Sequence, residues 1–142
     1  MTDFTMKKDA DGVAIITWDV PGKSMNVLSL DGAAALNGLI DDALADDAGK
    51  GIVITSGKKD FAGGMDLNVI AGKKASGTQG VFDGLMTLHH LLRKIELAGM
   101  DFKTKKGGKP IATALPGTAL GIGLELPLST HRFFDADYAK AK

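Results

Sequence analysis

The 142-residue sequence predicts an α/β fold, and three kinds of observation predict it. Short apolar runs, rich in β-branched residues, recur at Val13–Asp19, Gly51–Ser56 and Pro110–Leu115. Between them lie longer stretches with apolar residues at helical spacing, Ala33–Ala45 and Val81–Leu97. The chain has 19 glycines, and they gather at Gly63-Gly64, Gly107-Gly108 and Gly117 to Gly123. Such clustering points to particular backbone geometries at element ends and away from a flexible tail.

Val13-Ala-Ile-Ile-Thr-Trp-Asp19 reads as a strand closed by the turn signal Pro21-Gly22. Ser29 is placed as a helix N-cap, with Asp31 in the first turn facing the positive end of the helix dipole. Ala33, Leu36, Leu39, Ile40, Ala43 and Leu44 form one apolar stripe of that helix, and Asp41, Asp42, Asp46 and Asp47 lie on its polar side. Gly51-Ile-Val-Ile-Thr-Ser56 is nearly continuous in apolar residues, as in a strand covered on both faces. Strand, helix and strand in succession predict a parallel pair joined by a right-handed crossover.

Gly57 to Asp66 leaves the carboxyl end of that strand, where open α/β sheets place ligands. Asp66 is positioned to cap a short helix to Ala71, and Lys73–Gly80 reads as a mobile polar loop. Val81, Phe82, Leu85, Leu88, Leu92 and Ile95 define a second amphipathic helix that ends near Leu97. His89 and His90 inside it face different sides, so they are packing or surface residues and not a one-turn metal pair. Asp101–Lys109 reads as a solvated loop whose lysines could meet an anion. Pro110–Leu115 is a strand, Gly117 to Ser129 a glycine turn and helix, and His131–Asp137 a strand or extended edge. Tyr138–Lys142 carries no capping element.

Composition narrows the function. One domain with a core fits the length, and 44% hydrophobic with 24% charged residues is ordinary for a globular protein. Lys+Arg and Asp+Glu both number 17, so no net field attracts nucleic acid or an anionic membrane. The absence of cysteine excludes disulfides and thiolate metal sites. Met1–Asp9 lacks a signal-peptide core and no apolar run reaches membrane-spanning length, which together predict a cytoplasmic protein.

The chain is organised around Gly117-Thr-Ala-Leu-Gly121-Ile-Gly123-Leu-Glu125-Leu-Pro-Leu-Ser129. Leu124, Leu126 and Leu128 read as an element buried all round, with one carboxylate, Glu125, among them. Burial would raise the pKa of that carboxyl toward the range useful for proton transfer; the plainer reading is a glutamate satisfied by backbone N–H groups at a helix start. The glycines do not fit the dinucleotide fingerprint, no P-loop Lys-Ser/Thr follows them, no Gly-x-Ser-x-Gly elbow occurs, and no metal set is present. Two glycine loops after strands remain, Phe61–Leu67 and Gly117–Glu125. Each could aim a free backbone N–H outward, and two such donors meeting at one point form an oxyanion hole. Two ordinary strand-to-helix turns would satisfy the same spacing.

Lys109 to Leu126 resembles the signature of the enoyl-CoA hydratase/isomerase, or crotonase, superfamily. Asp60–Leu67 is similar to that family's first oxyanion loop, and Pro21–Leu28 to its N-terminal CoA-side motif, in the family's order. The segment from Ala71 to Lys109 is most similar to the hydratase domain at the N-terminus of multifunctional fatty-acid oxidation α-subunits. The resemblance implies a crotonase-like spiral of ββα units, with residues 1–142 the N-terminal part of one domain, truncated after the strand that follows the second oxyanion helix.

It further implies that Met65 and Ile122 supply the two oxyanion N–H groups and that Glu125 is one of two catalytic glutamates. Met65, Asp66, Leu67, Asn68, Gly121 and Ile122 would line the acyl-CoA thioester, with Lys23, Ser24 and Met25 near the CoA. No metal or separate cofactor is implied, because CoA is part of the substrate. The chain departs from the family in having Ile122 where glycine is usual, a residue that tolerates φ > 0 badly. The second glutamate would lie beyond Lys142.

The expected function is therefore a lyase fragment of fatty-acid β-oxidation whose parent hydrates trans-2-enoyl-CoA, with the fragment itself inactive. Isomerase or CoA-thioester hydrolase chemistry on the same scaffold, or a non-catalytic binding or assembly module, are the alternatives. Leucines left uncovered predict a homo-oligomer, and the resemblance adds a fatty-acid oxidation complex as the parent's setting.

Overall fold

The computed structural model describes residues 2–75 and 77–136. Its sheet has five strands in the order β1-β2-β3-β4-β5. β1 (Phe4–Lys8) and β2 (Val13–Trp18) pair antiparallel; β3 (Gly51–Ser56), β4 (Ile111–Leu115) and β5 (Arg132–Asp135) follow in parallel. The expected parallel pairing of the first two long strands is present, with Ile15 opposite Val53 and Thr17 opposite Thr55.

β1 was not expected from the sequence, because Phe-Thr-Met-Lys-Lys is short and ends in charge. Tertiary context makes it a strand. Phe4 is buried with its ring stacked 5.1 Å from that of Trp18, while Asp9 closes the hairpin by accepting from the Val13 and Asp11 amides, each at 2.9 Å.

α1 (Leu30–Ala45) starts as its capping residue requires, with Ser29 Oγ accepting from Gly32 N at 2.9 Å. It buries Ala33, Leu36, Ile40 and Ala43 in a core that includes Ile16, Ile54 and Ile111. No basic residue of its own occupies its last turn. Lys109 takes that place from far along the chain, donating through Nζ to Ala43 O at 2.8 Å and to Asp46 O. Of the lysines in the 101–109 loop, that one is therefore structural. Lys105 Nζ lies 3.6 Å from the centre of the Phe102 ring, and the rest of the loop is exposed.

Three local expectations are corrected. The 73–80 stretch is helical on both sides of residue 76: α2 (Leu67–Ala75) continues past Ala71 and α3 (Gly77–Leu97) begins earlier than its apolar stripe. Contacts between α2 and α3 outweigh the weak helix propensity of a Gly- and Ser-containing segment. β3 is not covered on both faces, since Ile52 and Ile54 are buried while Val53 and Thr55 stay partly exposed on the side away from the core. α4 (Ile122–Ser129) is likewise one-sided: Leu126 is fully buried, whereas Leu124 and Leu128 are 41% and 60% exposed.

α3 ends at Leu97 as its periodicity predicts, and His89 and His90 lie on its exposed side. β5 forms the edge expected of the last strand, with all four residues exposed. Asp137 and the uncapped stretch 138–142 lie outside the described residues. Among the described residues, no helix is long and apolar enough to cross a membrane.

Candidate active site

The two glycine loops leave the carboxyl ends of neighbouring parallel strands, so the sheet itself brings them together. After β3 the chain passes through Gly57–Gly64 to Met65, and after β4 through Pro116–Gly121 to α4. They pair as a short parallel bridge between Ala62 and Ala119. Phe61 N and Ala62 N donate to Thr118 O at 2.9 and 3.1 Å, and Leu120 N donates to Ala62 O at 3.0 Å. Close packing continues into α4, where a Cβ on Gly123 would lie 2.7 Å from that of Ala62. Glycine is required there.

Met65 sits in an extended segment bridged to Leu28. Leu28 N donates to Gly64 O and Asp66 N donates to Leu28 O, both at 2.9 Å. Successive N–H groups of extended backbone point to opposite sides, so this pairing turns the Met65 N–H away from Leu28. Ile122 is the first residue of α4, a position whose N–H has no intrahelical acceptor, whereas the next three amides find Leu120 O or Gly121 O. Among the described residues, neither the Met65 nor the Ile122 amide has a hydrogen-bond partner.

A left-handed glycine precedes each of these amides, Gly64 at φ 109° and Gly121 at φ 54°. The two glycines are neighbours: a Cβ on Gly121 would lie 3.8 Å from Gly64 Cα. The positive φ thus falls on Gly121 and not on Ile122, which starts the helix as an ordinary L residue with its side chain buried. A β-branched residue at this position costs no backbone strain.

Glu125 lies in the first turn of α4, three residues beyond Ile122. It is exposed, contrary to the reading of a carboxylate in a fully apolar run, because α4 turns the face carrying Leu124 and Leu128 outward. Its carboxylate has no partner among the described residues. The plainer reading, a glutamate satisfied by backbone N–H groups, does not hold either.

The remaining sequence-predicted residues divide by role. Asp66 caps α2, accepting from Asn68 N at 2.9 Å, while Leu67 and Asn68 are exposed. Asp66 and Asn68 also line a shallow groove of about 250 Å³ with Ser29 and Asp31. Met25 packs against the first loop, its Sδ 2.8 Å from where a Cβ on Gly63 would stand. Lys23 and Ser24 are exposed beside it in sequence, without an ion pair among the described residues.

Sequence reasoning passed over the residues that hold these loops. Asn26 is fully buried: Oδ1 accepts from Val20 N at 2.9 Å, Nδ2 donates to Trp18 O and Ser56 Oγ at 2.9 Å and to Phe61 O at 3.0 Å, and its carbonyl accepts from Gly63 N at 2.8 Å. Ser56 Oγ in turn donates to Asp60 O at 2.8 Å. Asp60 Oδ1 accepts from Thr118 N at 2.9 Å, and the Thr118 hydroxyl and amide together hold the Asp60 carboxyl below the usual carboxylate range. A single asparagine in a polar link gives no signal of this in one sequence; the bonds depend on which segments the sheet brings together.

No family model matches the chain. It is 30% identical over 138 residues to the fatty acid oxidation complex subunit alpha of Shewanella amazonensis, and 36% identical over 129 residues to that of Idiomarina loihiensis. Those alignments cover 96% and 90% of the chain, which spans only 18% and 17% of the length of the two relatives. Among solved structures, it superposes on an enoyl-CoA hydratase from Shewanella pealeana with a TM-score of 0.81 at 16% identity, covering 94% of the chain and 46% of that protein. An enoyl-CoA hydratase from Thermoplasma volcanium gives 0.77 at 24% identity, with 95% and 48% covered. Shared fold in the one comparison and shared sequence in the other agree with the order of motifs along the chain: it is related in sequence to part of fatty acid oxidation complex α subunits and has the fold of the enoyl-CoA hydratases.

Proposed function

We propose that the chain carries the thioester-binding half of an enoyl-CoA hydratase site, from a protein that adds water to trans-2-enoyl-CoA in fatty-acid β-oxidation. The observation that carries this reading is the pair of unpartnered amides at Met65 and Ile122, each following a left-handed glycine in adjoining loops. A thioester carbonyl oxygen seated between them accepts two hydrogen bonds. As water adds to the β-carbon, electron density moves onto that oxygen, and fixed donors stabilise it without reorganising. Losing one such donor typically costs about 3–4 kcal/mol of barrier. Glu125, free and solvent-accessible near one donor, acts on the water or on the proton delivered to the α-carbon.

Lys23, Ser24 and Met25 contact the CoA moiety, and no separate cofactor takes part. The curated relatives are subunits of a fatty acid oxidation complex, which supports the same setting for the parent protein and, with it, a cytoplasmic location. A single carboxylate on α4 leaves one of the two proton-handling roles unfilled, so the chain alone does not turn over. Self-association through the exposed leucines and phenylalanines of α4 and β5 belongs to the same proposal.

The test uses the 142-residue chain, ¹⁵N-labelled and titrated with crotonyl-CoA or with free CoA. Crotonyl-CoA is expected to shift the Met65 and Ile122 amide resonances and free CoA to leave them in place, with no loss of enoyl absorbance over time. Equal responses to the two ligands would defeat the oxyanion reading, and turnover near that of a complete hydratase would defeat the expectation of an inactive fragment.

A further inference from the structure

Free amides are useful as a pair only if the loops carrying them keep a constant separation, and little of either loop lies in regular structure. Thr118 holds the second loop against the first with both of its backbone groups: its carbonyl accepts from Phe61 and Ala62, and its N–H donates to the Asp60 carboxylate. Gly117 packs into the same junction, where a Cβ would lie 2.7 Å from Lys59 O and 2.9 Å from Asp60 Oδ1. On its other side Asp60 is anchored through its own carbonyl to Ser56 at the end of β3. Of these bonds between the loops, only the one to Asp60 is charge-assisted, and such bonds are about twice as strong as neutral ones.

We propose that Asp60 is a positioning residue, its carboxylate tying the two glycine loops together through the Thr118 amide and so setting the Met65 and Ile122 N–H groups relative to each other. The inference rests on reading those amides as donors to a thioester oxygen. Asp60 touches no substrate and takes no proton in this scheme; it acts on the spacing of the donors. Its depressed carboxyl pKa, caused by the Thr118 hydroxyl and amide, keeps it ionised throughout the neutral range.

The experiment compares wild type, Asp60→Ala and Asp60→Asn in the 142-residue chain. ¹⁵N relaxation is measured at Met65 and Ile122 without ligand, and calorimetry follows crotonyl-CoA and free CoA. Asp60→Ala is expected to add fast motion at both amides and to weaken crotonyl-CoA about tenfold while free CoA changes less than about twofold. Asp60→Asn, which keeps an oxygen acceptor for Thr118 N–H but not the charge, is expected to restore part of both. If the alanine variant does not fold, the asparagine variant must show a smaller loosening of the same two amides.

Unchanged relaxation at Met65 and Ile122 in the folded variants would overturn the proposal, as would an equal loss of affinity for both ligands. Should wild type bind crotonyl-CoA no better than CoA, the donor reading fails, and the relaxation of the two amides still decides whether Asp60 sets them.

Discussion

Gly123 illustrates how much one position can settle. Its Cα approaches the first loop so closely that a methyl group would overlap Ala62 Cβ and lie 3.0 Å from Ala62 O, both part of the junction under the two free amides. Gly123→Ala is therefore expected to destabilise the chain by about 1–3 kcal/mol, the usual range for overpacking, read from the urea midpoint. Because the displaced atoms belong to the junction itself, the Ile122 amide resonance should move more than any in α1. An alanine variant as stable as wild type would mean that the loops can separate freely. Sequence inspection found the glycine cluster and the residues beside it, Met65, Ile122 and Glu125. It missed Asn26 and Asp60, whose importance lies in bonds to segments that are distant along the chain.

At the scale of elements, α1 and α3 are legible in the sequence because a solvent-facing helix repeats its apolar stripe and the Ser29 cap marks the start of α1. The end of α1 is different. Its closing cation, Lys109, comes from the loop before β4, and its Nζ is part-buried against the Ala43 and Asp46 carbonyls. Replacing it with methionine keeps the stem and removes the donor, with an expected cost of about 1.5–3 kcal/mol for lost hydrogen bonds from a charged group. Thermal or urea unfolding of Lys109→Met measures this, and a change below about 0.5 kcal/mol would show that water replaces the lysine at no cost. α2 and β1 were misjudged or missed for one reason: each is short, has a weak pattern of its own and is stabilised by what it packs against.

For the molecule as a whole, the informative surface is the one without a cover. Leu124 and Leu128 on α4 and Phe133 and Phe134 on β5 are exposed, and β5 also presents an unpaired strand edge among the described residues. Exposed edges and apolar patches promote association. Light scattering of the chain is expected to give a mass above that of a 14.8 kDa monomer, and Phe134→Lys together with Leu128→Lys to shift it toward the monomer. A monomeric wild type at micromolar concentration would contradict this. The solved hydratases are about twice as long as the region they share with this chain.

The sequence by itself determined the alternation of strands and helices, the two glycine loops and the likeness to the hydratases, because periodicity, caps and short motifs are written in neighbouring residues. Tertiary structure alone decided that Glu125 faces solvent, that Gly121 takes the left-handed conformation and spares Ile122, and that Asn26, Ser56, Asp60 and Thr118 link the loops. Those outcomes depend on which backbone atoms the parallel sheet sets side by side. Such distances exist only once the chain has folded.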